Sequence, residues 1–279
     1  MVKKVEAPPR IIISPPARFP VPNLKHLWES RDVVVRFGIR DITIRYRQTL
    51  LGIVWVILQP LLTALVFALV FGRVAKLPSN GVPYLLFTYA GLIGWNLFST
   101  VVTRGAGALV QNASLVSKVY FPRVHVQLSV ALSAGVDYIV SFAFLIVLFA
   151  VNGFWPGWPI ALLPVFTLLL LLLALGLGAV LSGLAVSYRD VQYVVPFTIQ
   201  FLLYASPVAY AVSAVPARYR FWYQMNPLTW FMQEYRWCIV RQAMPPTWQI
   251  VGSIGVAISV FALCMVLFER MERGLADLI

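Results

Sequence analysis

Pro164-Val165-Phe166-Thr167-Leu168-Leu169-Leu170-Leu171-Leu172-Leu173-Ala174-Leu175-Gly176-Leu177-Gly178-Ala179-Val180 carries no charged residue and holds an unbroken leucine run from Leu168 to Leu173. A stretch this long and uniform exceeds a buried strand and reads as a helix surrounded by apolar material. Five further segments reach the roughly 20 mostly apolar residues needed to cross a hydrocarbon core of about 30 Å. The six expected spans are residues 50–74, 84–102, 126–151, 160–186, 193–212 and 248–268. The chain as a whole agrees: its 279 residues are 60% hydrophobic and 11% charged, with mean hydropathy +0.82. Soluble domains carry about a quarter charged residues, so a soluble fold of this size is excluded.

The net charge of +12 does not point to nucleic acid, because the basic residues lie between apolar runs and not on one soluble face. Lys3, Lys4, Arg10, Arg18, Lys25, Arg31, Arg36, Arg40, Arg45 and Arg47 precede the first span. Cytoplasmic flanks are enriched in lysine and arginine, so with an even number of spans both termini are expected on the cytoplasmic side. Arg104, Lys118, Arg123 and Arg189 share that side, and Phe154, Trp155 and Trp158 fit an aromatic belt at the opposite interface. Residues 1–22 form a proline-rich leader that holds no short apolar region, so no cleavable signal peptide is expected. Residues 23–49 place Leu27, Trp28, Val35, Ile39, Ile42 and Tyr46 at near-helical spacing among arginines. That is the pattern of a basic amphipathic helix lying in the membrane interface, or of a solvated juxtamembrane helix, with Gly38 allowing a break in its middle. Residues 50–279 make up the transmembrane domain.

Between the last two spans, residues 213–247 are rich in aromatic side chains yet interrupted by Pro216, Pro227, Pro245 and Pro246. Short re-entrant or interfacial helices on the outer side satisfy both facts, provided their ends meet protein or water. The expected fold is therefore an all-α integral membrane protein: six transmembrane helices, an N-terminal interfacial helix, and short re-entrant helices before the last span.

The chemistry is that of a conduit. No Gly-Lys pair exists to close a phosphate cradle, so any ATP and its magnesium must be bound by another chain. Gly-x-Ser-x-Gly and His-Glu-x-x-His are absent. Cys238 and Cys264 match no metal or disulfide spacing, and His26 and His125 are too few for a metal site. Asp137 is the acid placed inside a span, where a charge is costly; it is expected to pair with a neighbouring helix or to meet substrate. Glu234 and Arg236 are candidates for a local ion-pair or hydrogen-bond network.

The stretch Arg40-Asp41-Ile42-Thr43-Ile44-Arg45-Tyr46-Arg47-Gln48-Thr49-Leu50-Leu51-Gly52-Ile53-Val54-Trp55 resembles the approach to the first span of ABC-2-type polysaccharide exporters, the O-antigen and teichoic acid group. The resemblance continues through Tyr120-Phe121-Pro122-Arg123, Tyr188-Arg189-Asp190-Val191, Tyr204-Ala205-Ser206-Pro207-Val208, Val215-Pro216, Asn226-Pro227-Leu228 and Glu234-Tyr235-Arg236. It implies a homodimer in the bacterial plasma membrane with two separate ATP-binding subunits beneath it, moving a lipid-linked polysaccharide. It further implies a substrate entrance at Arg40, Arg45, Arg47, Leu51 and Gly52, and ATPase coupling through Lys118, Tyr120, Phe121, Pro122 and Arg123. An outer gate would include Trp222, Asn226, Pro227, Trp230, Glu234 and Arg236. Tyr84, Phe87, Tyr89, Trp95, Phe197, Phe201 and Tyr204 could stack on sugar rings along a channel; the alternative is that they pack or face lipid. Two other functions are set against export of a glycan: an ABC-2 exporter of a drug or simple lipid, and a membrane glycosyltransferase. The last lacks the Asp-x-Asp cluster that a metal-bound sugar nucleotide would need.

Overall fold

The computed structural model describes residues 31–47, 52–116 and 121–275. The proline-rich leader, Leu51, Lys118 and Tyr120 lie outside the described residues. Among those described, the elements are helical throughout. Helix α1 (Arg31–Arg47) is followed by α2 (Val54–Phe67), which continues as a π-helical stretch (Ala68–Val74). Then come α3 (Tyr84–Gln111), the short α4 (Ala113–Val116), α5 (Val124–Val151) and a 3-10 turn (Trp158–Leu162) leading into α6 (Leu163–Ser187). The chain closes with α7 (Val191–Ala205), α8 (Ala217–Met225), α9 (Pro227–Val240) and α10 (Thr247–Leu275).

Among the described residues, five helical stretches are long and apolar enough to cross a membrane: Val54–Val74, Tyr84–Gln111, Val124–Val151, Trp158–Ser187 and Thr247–Glu272. The stretch read as the fifth span is shorter than its apolar composition suggested. Its helix stops at Ala205 after 15 residues, a rise of about 22 Å, short of the hydrocarbon thickness. Pro207 follows at once, and a non-helical strap takes over through residue 211. Conversely, α3 runs well past the expected end of the second span: residues 103–111 contain no proline, and the cost of Gly105 and Gly107 inside the helix is offset by packing, with Gly105 set against Gly178 of α6.

Helix α3 is the axis of the bundle. Some 78% of its most apolar window is buried, against 11% for α2, which stands at the edge. It packs against α5, α6, α9, α2 and α7. Glycine permits the closest approaches: a Cβ on Gly105 would lie 3.1 Å from the Gly178 Cα, and one on Gly176 would lie 3.0 Å from the Phe261 Cα. Gly176 and Gly178 thus serve the close helix packing expected of small residues in a membrane bundle. Gly38 acts similarly. The helix does not break there; the missing side chain lets α1 seat on Leu132 of α5, since a Cβ would meet Leu132 Cδ2 at 2.8 Å.

The segment before the last span folds as two short helices. Helix α8 has no buried residue, whereas most of α9 is in the core. Asn226 caps α9 by accepting from the Leu228 N–H at 3.0 Å, and Pro227 fills the first position, where no N–H is needed. Gly91 marks a tight contact between α3 and the strap that precedes this segment: a Cβ there would stand 2.7 Å from the Val208 carbonyl oxygen. Backbone cannot swing aside as a side chain can. Gly91→Ala is therefore expected to destabilise the protein by about 1–3 kcal/mol, read as a lower melting temperature in detergent. An unchanged melting temperature would mean that the strap at Val208 moves freely.

Candidate substrate cleft at the interfacial helix

Helix α1 presents two faces. Val35, Ile39 and Ile44 are exposed together with Arg36, Thr43 and Arg47, while the other side docks on α5. Asp137 of α5 is the anchor. Arg45 donates to both its Oδ2 and the Ser133 hydroxyl, and the Tyr46 hydroxyl donates to its Oδ1. Arg104 approaches the same Oδ2 from α3 at 3.5 Å. Asp137 thus pairs with a neighbouring helix, one of its two expected roles. Burial, followed by the hydrogen bond to Asp137, pushes the Tyr46 phenol up to about 12, so it remains a donor throughout the physiological range. One turn earlier Arg40 binds Asp41 at 2.9 Å and the Asn112 side-chain oxygen at 2.6 Å, tying α1 to the end of α3.

Two cavities meet at this cluster. The first, of about 540 Å³, is lined by Arg40, Asp41, Arg45, Arg104, Asn112 and Ser133 among others. The second, of about 760 Å³, lies between α2, α3 and α5 and shares Arg45 and Arg104 with the first. Arg104 was placed by sequence in a flank beyond the second span. The longer α3 puts it inside the helix, at the junction of the two cavities. Its detectable signal was spacing: Asn96, Thr100 and Arg104 recur every fourth residue in a mostly apolar helix.

The remaining expected site residues divide by location. Arg47 is exposed at the end of α1. Gly52 adopts φ +48°, a left-handed conformation that a side chain would strain. Phe87, Tyr89 and Trp95 are buried, at 0%, 0% and 3% exposure. They fill the interior of the protomer and line no open surface in this chain. Tyr84 is half-buried and donates to the Ala209 carbonyl at 2.9 Å. Phe197, Phe201 and Tyr204, by contrast, form an exposed aromatic ridge along α7. Phe121 packs on Phe37 of α1 with ring centroids 5.5 Å apart, and Arg123 donates to the Glu272 carbonyl at 3.1 Å. These two therefore link the segment after α4 to both α1 and the end of α10.

In the α8–α9 segment, expected as an outer gate, Trp222 is exposed, Trp230 donates to the Gln224 carbonyl at 2.6 Å, and the Asn226 amide donates to the Ser206 hydroxyl at 3.0 Å. Glu234 and Arg236 are both buried but work on different neighbours. Glu234 accepts from Ser253 of α10 at 2.7 Å, while Arg236 donates to the Val208 and Tyr210 carbonyls at 2.7 and 2.9 Å. They contribute hydrogen bonds to the segment without forming an ion pair with each other. Cys238 and Cys264 are free and buried.

Residues 35–240, most of this bundle, match the ABC-2 type transporter family. The chain belongs to that family. Relatives of this ABC-2 transporter chain match it along nearly their full length. It is 28% identical over 256 residues to the O-antigen export system permease protein RfbA of Myxococcus xanthus, covering 91% of this chain and 98% of that protein. A Klebsiella pneumoniae protein of the same name is 24% identical over 262 residues, covering 92% and 97%. The polysialic acid transport protein KpsM of Escherichia coli is 24% identical over 239 residues, covering 85% and 89%. The ABC-2 match begins within α1 and ends at the last residue of α9, so it includes most of α1 and the α8–α9 pair as well as the helices between.

Proposed function

We propose that this chain is the permease subunit of an ABC exporter that moves a lipid-linked polysaccharide across the bacterial plasma membrane, driven by ATP hydrolysis on a separate subunit. The observation that carries the reading is the arginine-lined cleft between α1 and the bundle, in a chain whose relatives are named for export of O-antigen and polysialic acid. Lipid-linked glycans carry pyrophosphate, and arginine suits that group because its planar fork donates two parallel hydrogen bonds while keeping its charge. Arg40, Arg45 and Arg47 lie on the interfacial helix, with Gly52 at the turn into α2, where such a headgroup would arrive from the cytoplasmic leaflet.

The same reading gives the rest of the surface a use. The ridge of Tyr193, Phe197, Phe201 and Tyr204 leaves large apolar side chains on one helix, which a second copy of the chain would cover around a shared conduit. ATP-binding subunits would dock around α4 and residues 117–123, with both termini on their side of the membrane. ATP and magnesium belong to those subunits. Co-purification with the ATP-binding protein encoded beside it is expected to give two copies of each chain. The reconstituted assembly is expected to hydrolyse ATP faster with lipid-linked glycan and to carry that glycan across proteoliposomes. A monomer that transports without an ATPase, or an assembly that moves drugs and simple lipids but no glycan, would overturn the reading.

A further inference from the structure

The larger cavity is built from polar stripes on three mostly apolar helices. On α2, Gln59 and Thr63 are one turn apart and follow Trp55; on α3, Asn96, Thr100 and Arg104 do the same; on α5, Asp137 and Ser141 complete the set. A four-residue step keeps side chains on one helix face, and α3 runs antiparallel to α2 and α5. The stripes therefore step away from α1 together: Arg104 lies beside Asp137, Thr100 and Ser141 follow about 6 Å along the helix axes and Asn96 about 12 Å along, with Gln59 and Thr63 of α2 separated by the same one-turn step.

The Gln59 and Asn96 amides and the Thr100 hydroxyl have no hydrogen-bond partner among the described residues. All three sit in spanning helices, where an unsatisfied polar group facing hydrocarbon costs several kcal/mol. An acyl chain is thus the wrong occupant. The volume, about 760 Å³, is that of a small-ligand pocket, and its wall mixes hydroxyl and amide groups with an indole, Trp55, that is 42% exposed. Sugars present the complement: hydroxyls for the amides and an apolar C–H face for the ring.

We propose that the cleft between α2, α3 and α5 is a saccharide-binding track within each protomer, holding the first sugar units behind the anionic head through Gln59, Asn96 and Thr100, with Trp55 as the stacking platform. The proposal rests on the export reading above and adds a location apart from the exposed α7 ridge.

The test is alkylation of single-cysteine reporters in the assembled complex with its ATPase. Cys238 and Cys264 are buried, so this chain, resolved from its ATPase after labelling, gives a low background when unsubstituted. Thr100→Cys on α3 and, independently, Gln59→Cys on α2 are treated with a charged, water-soluble thiol reagent. Two probes are compared: polyprenyl pyrophosphate carrying an oligosaccharide of the host's surface glycan, and bare polyprenyl pyrophosphate. Both cysteines are expected to react, and the glycan-bearing probe alone is expected to slow them on the order of tenfold. Equal protection by the bare lipid would assign the cleft to the headgroup and overturn the saccharide track. Reaction without protection would leave a merely wet cavity, and absence of reaction a dry one; either overturns the proposal. Export by the unsubstituted complex, measured alongside, separates the two ideas. If it exports glycan while the reporters go unprotected, the export reading stands and the track falls; if it exports no glycan, both fall.

Discussion

Asp137→Ala is expected to detach α1 from the bundle and reduce export on the order of tenfold or more, the largest functional effect at the cleft. Three side chains from two helices converge on this carboxylate, and Arg45 and Arg104 both approach its Oδ2. The Arg45 and Asp137 side chains are 27% and 17% exposed, so the pair is only partly screened by solvent. Removing one member of a buried pair costs about 3–5 kcal/mol, and partial exposure here lowers that to about 2–3 kcal/mol. The loss exceeds one ion pair because Arg45 and Arg104 are then left facing each other as like charges. A Gly38→Cys/Leu132→Cys pair reports the docking directly. The Gly38 Cβ position lies 3.6 Å from Leu132 Cβ, within the 3.5–4.5 Å range of disulfides. Cross-linking should be efficient with Asp137 present and weak with alanine there. Adding Arg45→Gln to Asp137→Asn removes the repulsion together with the attraction, so the double variant is expected to dock better than Asp137→Asn alone. Additive damage would show that Arg45 and Asp137 act independently.

The physics that made the membrane helices legible also hid the cleft. A run such as Leu168 to Leu173 identifies a helix in lipid whatever surrounds it, which is why α2, α3, α5, α6 and α10 all fall where apolar composition places them. The same uniformity erases the difference between inward and outward faces. Phe87 and Tyr89 of α3 and Phe197 and Phe201 of α7 read alike in sequence, yet the first pair is sealed in the core and the second is exposed. Ends were harder still. The second span was expected to end at 102, but residues 103–111 hold no proline, and Gly105, unfavourable in a helix by itself, gains a close neighbour in Gly178 by continuing. Residue 212, in turn, overstated α7 because apolar side chains continue past Pro207 while the backbone does not stay helical. Asp137 was recognisable as an intramembrane acid in need of a partner, but the identity of Arg45, Tyr46 and Arg104 as those partners depends on a helix-to-helix register that no local pattern encodes.

Arg236→Leu is expected to be the most destabilising single substitution outside that cleft, by a few kcal/mol, seen as loss of folded protein after detergent extraction. Arg236 is 3% exposed. Its two terminal nitrogens hold the Val208 and Tyr210 carbonyls of the strap that follows α7, and its guanidinium lies 4.0 Å from the Phe87 ring centroid. The strap is not helical, so those carbonyls have no helix to satisfy them, and each unsatisfied buried acceptor costs about 1–3 kcal/mol. Part of this is offset, since leucine also removes a costly buried charge. That offset makes the lysine variant informative: Arg236→Lys keeps the charge and a donor but loses the fork, so it should recover some of the folded yield without reaching that of the original protein. Tyr84→Phe removes a neighbouring support, the hydrogen bond to Ala209, and should cost only about 1 kcal/mol alone. Combined with Arg236→Lys it should cost more than the sum, because both act on one short strap. Strict additivity would mean that the strap is held elsewhere, and a fully stable Arg236→Leu would mean that its carbonyls find water, leaving the clamp without a structural role.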